Sequence, residues 1–142
     1  MVRLSEFPEY LAAVPAAAAG DFASARSSFE ALFSKIESRA SSEQAAFVLQ
    51  LLADVEAQSG NIKKALALHE RAIVIDAANP LTRLNCAKSL AGHLKHPALA
   101  LTRLQETESL LASCTWQPNQ DDMSRQWYER EIRSVRQRTL AA

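Results

Sequence analysis

Three boundary signals fall within one short stretch: Gly60, the patterned run Asn61–Asp76, and the pair Asn79-Pro80. Inside the run, Ala65, Leu68, Ala72 and Ile75 recur at helical spacing, while Lys63, Lys64, Glu70 and Arg71 take the opposite side. Glycine supplies the left-handed residue that ends a helix, Asn61 is placed to cap the next one, and Pro80 suits the first turn of a third. Such tight punctuation leaves no room for a long connection. The segment therefore predicts antiparallel helical neighbours.

The rest of the chain agrees with that pattern. Of 142 residues, 48% are hydrophobic and only 3 are Gly, and no alternating β-branched run suggests a sheet, so the expected class is all-α. Lys plus Arg equal Asp plus Glu at 16 each. This balance gives no overall field toward nucleic acid or an anionic membrane. No apolar run approaches the roughly 18 residues of a membrane span. Cys86 and Cys114 form no CxxC or Cys/His spacing, which fits reduced thiols in a cytoplasmic setting. Near the N-terminus, Glu6, Pro8 and Glu9 interrupt any signal-peptide core, which argues against export.

Taken in order, Ser5 is placed to cap a first helix with Pro8 in its first turn and Phe7, Tyr10, Leu11 and Val14 at helical spacing. Pro15 is expected to bend or end it. Gly20 and Asp21 form the next stop and cap, and a second helix to about Ser38 turns Phe22, Ala25, Phe29, Leu32, Phe33 and Ile36 inward. Ser41 and Gln44 have the capping-box spacing and open a third helix, with Phe47 or Val48, Leu51 or Leu52, and Val55 apolar. After Pro80, Leu84, Ala87, Leu90 and Ala91 give a fifth helix its buried stripe, with its end near Gly92. Pro97 opens a sixth, with Ala98, Leu101, Leu104 and Leu110 or Leu111 inward. Residues 113–120 read as a loop. A last helix carries Met123, Trp127, Tyr128, Ile132 and Val135, with Asp121 and Asp122 at its start, Arg133, Arg136 and Arg138 toward its end, and a Glu129–Arg133 pair.

The helices repeat in pairs. Ala65-Leu66-Ala67-Leu68 returns as Ala98-Leu99-Ala100-Leu101, an offset of 33, and Gly60, Ala65 and His69 answer Gly20, Ala25 and Phe29 at an offset of 40. The middle pair, through Leu49, Leu52, Ala53, Gly60, Ala65, Ala72 and Asn79-Pro80, resembles the tetratricopeptide repeat, whose period is about 34 residues. The first pair matches at Ala13, Gly20, Asp21, Phe22, Ala25, Phe29 and Leu32, and the third at Cys86, Ala87, Ala98 and Leu101. Leu49 and Glu56 stand where the family has aromatics, Ala77 replaces a common proline, Gln105 falls at a small-residue position, and residues 33–45 lengthen the first hairpin. The resemblance implies a single domain, 1–142, forming a right-handed superhelix of about three hairpins (about 5–40, 41–78 and 79–112) with a C-terminal capping helix at about 121–139.

It also implies a concave groove lined by the first helix of each hairpin: Phe7, Tyr10, Val14, Phe47, Gln50, Asp54, Gln58, Leu81, Leu84, Asn85 and Lys88. An amphipathic helix or extended segment of a protein partner suits such a surface. Trp116, Trp127 and Tyr128 are candidates for a second contact. Asn85 matches one position of the carboxylate clamp by which some members bind heat-shock chaperones, but Tyr10, Val14 and Asp54 do not. His69, His93 and His96 form no metal-ligand set, and His96 serves more simply as a cap. No phosphate loop, nucleophile elbow or HExxH suggests an enzyme or a cofactor. The expectation is a non-catalytic adaptor or chaperone-like module, of the type seen in type III secretion chaperones. The alternative is a scaffold subunit whose apolar face pairs with its own copy as a homodimer.

Overall fold

The computed structural model describes residues 2–113 and 125–141. After a 3-10 turn at Leu4–Glu6 come seven α-helices: α1 (Pro8–Ala18), α2 (Phe22–Ile36), α3 (Ser42–Gln58), α4 (Ile62–Ile75), α5 (Pro80–Ala91), α6 (Pro97–Ala112) and α7 (Arg125–Ala141). The described residues contain no strand. The chain forms two compact units, Met1–Asp76 and Ala77–Ala142, where the sequence reading treats it as a single domain.

In the first unit α1 pairs with α2, α2 with α3, and α3 with α4. Its core gathers Ala13, Ala25, Phe29, Leu32, Phe33, Ile36, Val48, Leu49, Leu52, Val55 and Ala72. The expected inward face of α2 is therefore realised, with Phe22 only half-buried. Ser41 and Gln44 make the capping box. Gln44 also pins the N-terminal segment: its Oε1 accepts from Val2 N at 3.1 Å, and its Nε2 donates to the Val2 carbonyl.

Ser5 is not a cap. It sits in the 3-10 turn, and α1 begins at Pro8 without a side-chain cap. Pro15 does not end α1, which runs on to Ala18. Leu11 is 58% exposed, and of α1 only Ala13 is fully buried.

Both early hairpin turns use one device. Gly20 and Gly60 have φ of 81° and 92°, a region open to glycine at little cost. The next residue donates its N–H back across the turn, Asp21 to the Ala16 carbonyl and Asn61 to that of Glu56, which is the Schellman pattern. Asp21 caps α2 by accepting from Ser24 N. Asn61 does not cap α4 with its side chain; its Nδ2 donates to Glu56 Oε2 at 2.7 Å instead.

In the second unit α5 pairs with α6, and α7 packs on both. Asn79 caps α5 by accepting from Leu81 N, and Pro80 occupies the first turn. Leu84, Ala87, Leu104, Leu111, Tyr128, Ile132 and Val135 form the core. The α5–α6 connection, 92–96, is five residues long against three in each earlier hairpin, and the left-handed position falls to Lys95 at φ 50°. His96 precedes α6 without a side-chain cap bond.

That longer turn shifts the repeat. Ala25, Ala65 and Ala100 each donate to the carbonyl of the residue just before their helix (Asp21, Asn61 and His96), and each is 0% exposed. The third hairpin therefore follows the second at an offset of 35, not 33. Ala98 is exposed, and the small crossing residue is Ala100. Likewise Thr107, fully buried, and not the exposed Gln105, answers Ala72.

Candidate functional site

In the first unit the expected groove residues lie on α1 and α3, both packed on α2. Phe7, just before α1, and Tyr10 are half-buried against the core, so each serves packing and surface together. Val14 and Phe47 are each 42% exposed. Along α3, Glu43, Phe47, Asp54 and Gln58 share one side by helical spacing. Gln50 is a correction: it is 6% exposed and holds Nε2 3.4 Å from His69 Nδ1, inside the unit.

His69 occupies a core position. Its counterparts on α2 and α6 are Phe29 and Leu104, and all three are buried. Its Nε2 lies 4.0 Å from Asp54 Oδ1 and has no hydrogen-bond partner among the described residues. Burial pushes the imidazole pKa down to about 4, so the ring is neutral near neutral pH.

Glu56 is the second buried polar group, with a fully buried side chain. It accepts from Arg26 Nε and from Asn61 Nδ2, with Lys64 Nζ at 3.8 Å, and Arg26 also reaches Ser59 Oγ at 3.1 Å. Burial works to raise its pKa, but the hydrogen bonds from Arg26 and Asn61 and the nearby positive charges hold it below the usual carboxylate value. The cluster ties α2 to the α3–α4 turn. It is a structural clamp occupying a position where an aromatic was expected.

In the second unit α7 covers much of what was expected to be open on α5. Leu84 is 0% exposed, packed with Tyr128, Ile132 and Val135. Lys88 is held by Glu131 at 2.5 Å and lies 5.3 Å from the centre of the Trp127 ring. Leu81 and Asn85 stay half-buried. Tyr128 is core and not a contact residue, while Trp127 is half-buried and meets Tyr128 edge-on. Trp116, Cys114, Asp121, Asp122 and Met123 lie outside the described residues.

A cleft of about 460 Å³ opens between α6 and α7. Leu111 and Ile132 contribute apolar wall, Leu140 stands at 68% exposure, and Arg125, Arg133 and Arg136 face Glu108 and Glu129. Arg136 pairs with Glu108, and Arg125 donates to the Leu111 carbonyl. The expected Glu129–Arg133 pair is not made. Sequence reasoning missed this cleft because its arginines wrap around α7 and form a wall only once α6 is in place.

Among the described residues no group of three or more His, Cys, Asp or Glu is arranged to hold a metal, and no helix is long and apolar enough to cross a membrane. Comparison of the chain with protein-family models, with curated proteins and with solved structures finds no match.

Proposed function

We propose that the chain is a non-catalytic protein-interaction module of tetratricopeptide type, adaptor or chaperone-like and cytoplasmic, whose first unit takes up an amphipathic segment of a partner protein. The observation that carries this reading is the placement of exposed apolar side chains. Val14 and Phe47 stand 42% open on the first helices of successive hairpins, beside the half-buried Phe7 and Tyr10, while the second helices α2 and α4 turn Phe29, Leu32, Ala65 and Ala72 inward and expose one large apolar side chain, Val74 on α4. Such side chains supply affinity when a partner removes them from water, at about 25 cal/mol per Å² of apolar surface. The repeated turn, glycine followed by Asp21 or Asn61 and a buried alanine four residues on, supports the repeat assignment. Asp54 and Gln58 continue the α3 face and give it polar contacts that set register.

Capture from native cytosol followed by mass spectrometry tests the proposal, with wild type compared with a Tyr10→Glu, Phe47→Glu variant. Loss of specific proteins from the variant is the expected result. Recovery of the same proteins by both would overturn binding through this face.

A further inference from the structure

The balanced total charge conceals a division. Residues 1–76 carry 7 Lys and Arg against 10 Asp and Glu, and residues 77–142 carry 9 against 6. The excess is concentrated on two helices: α3 has Glu43, Asp54 and Glu56 and no basic residue, whereas α7 has five arginines against Glu129 and Glu131.

The spacing of these charges also matches. Glu43 and Asp54 lie eleven positions apart on the exposed side of α3, and Arg125 and Arg136 lie eleven positions apart along the α7 wall of the cleft. At 1.5 Å per residue each pair spans about 16 Å on one helix face. Run antiparallel, the two helices set Glu43 against Arg136 and Asp54 against Arg125, and Phe47 then falls opposite Ile132 at the cleft wall.

From this complementarity we propose that the cleft between α6 and α7 receives the α3 face of a second copy of the chain. The proposal rests on the reading of the α3 face as a binding surface and names its occupant. The contact joins two different faces of the chain, α3 of one copy and the α6–α7 cleft of another. Arg136 is positioned by Glu108 and Arg125 by the Leu111 carbonyl. A guanidinium has five N–H donors, so each keeps donors for an incoming carboxylate. Phe47 enters a cleft with room for its ring, beside Leu111 and Ile132.

Sedimentation of the full chain tests this. Wild type is expected to move from the mass of one chain toward two with rising concentration, and to fall back between about 0.05 M and about 0.5 M salt as the charges are screened. Glu43→Arg and Arg136→Glu, each checked for helix content, are each expected to sediment as monomers, and an equimolar mixture of the two to form the heterodimer. Phe47→Glu, on an exposed side chain, is expected to be monomeric and carries the test if a charge variant fails to fold. A wild type that stays monomeric at every concentration in low salt, or a Phe47→Glu dimer as tight as wild type, overturns the proposal. A monomeric wild type that captures a foreign protein in a Phe47-dependent way overturns the second copy as occupant and leaves the interaction-module reading standing. Loss of both overturns both.

Discussion

His69 makes the stability of the first unit depend on pH in a window that few other groups share. Burial lowers the pKa of the folded imidazole to about 4 from the ordinary histidine value of 6.5. A depressed pKa means that the folded state binds fewer protons than the unfolded one, so stability is complete above the unfolded value and is lost as pH falls from there toward the folded value. At roughly 1.4 kcal/mol per unit the full loss is about 3 kcal/mol, of which about 2 kcal/mol falls between pH 7 and pH 5. Urea unfolding followed by far-ultraviolet circular dichroism across that range measures it. The comparison is His69→Leu, a substitution already present in kind, since Leu104 fills the matching position on α6. The variant removes a buried ring nitrogen that has no partner among the described residues. It also takes from the buried Gln50 the His69 Nδ1 partner at 3.4 Å, so a neutral-pH loss of about 1–3 kcal/mol is expected, and it should abolish the slope above pH 5. A flat wild-type profile, or an unchanged slope in His69→Leu, would refute the assignment. Glu56 does not mimic this, because its lowered pKa places its own loss below the usual carboxylate value of 4.5.

Arg26→Met strands the buried Glu56 carboxylate. Because Asn61 and Lys64 still face it and Arg26 is itself 28% exposed, the expected loss is about 2–3 kcal/mol in urea unfolding, less than for a fully isolated buried charge. Ala100→Leu should cost about 1–3 kcal/mol by overpacking a fully buried crossing, whereas Ala98→Leu should be near neutral on its exposed side; equal effects would restore the shorter repeat offset.

The features legible in the sequence were those decided within a few residues. Gly20 with Asp21, Ser41 with Gln44, and Asn79 with Pro80 each set a helix boundary by local chemistry, and the α2 stripe from Ala25 to Ile36 reads directly as a buried face. The echo of Ala65–Leu68 in Ala98–Leu101 misled because the α5–α6 turn gained two residues, and only the burial of Ala100 and its bond to the His96 carbonyl reveal the shift. Leu84 read as core from helical spacing and as groove lining from the family resemblance, and the first reading holds; Lys88 looked open because nothing near it in sequence announces that α7 will lie across α5. The Glu56 clamp joins residues thirty positions apart, beyond any local pattern, and the cleft that takes Arg125, Arg133 and Arg136 exists only between two packed helices.

Pro15 gives α1 a different thermal history from its neighbours. Having no N–H, it cannot bond back to the Leu11 carbonyl, and Leu11 itself lies on the exposed side. With Ala13 as its only fully buried residue, α1 is expected to exchange its amide protons ahead of α2 and α3 when hydrogen exchange is followed by mass spectrometry. Such an opening would carry Tyr10 and Val14 with it. The proposed binding surface of this unit thus rests partly on α1 and partly, at Phe47, on the better-buried α3.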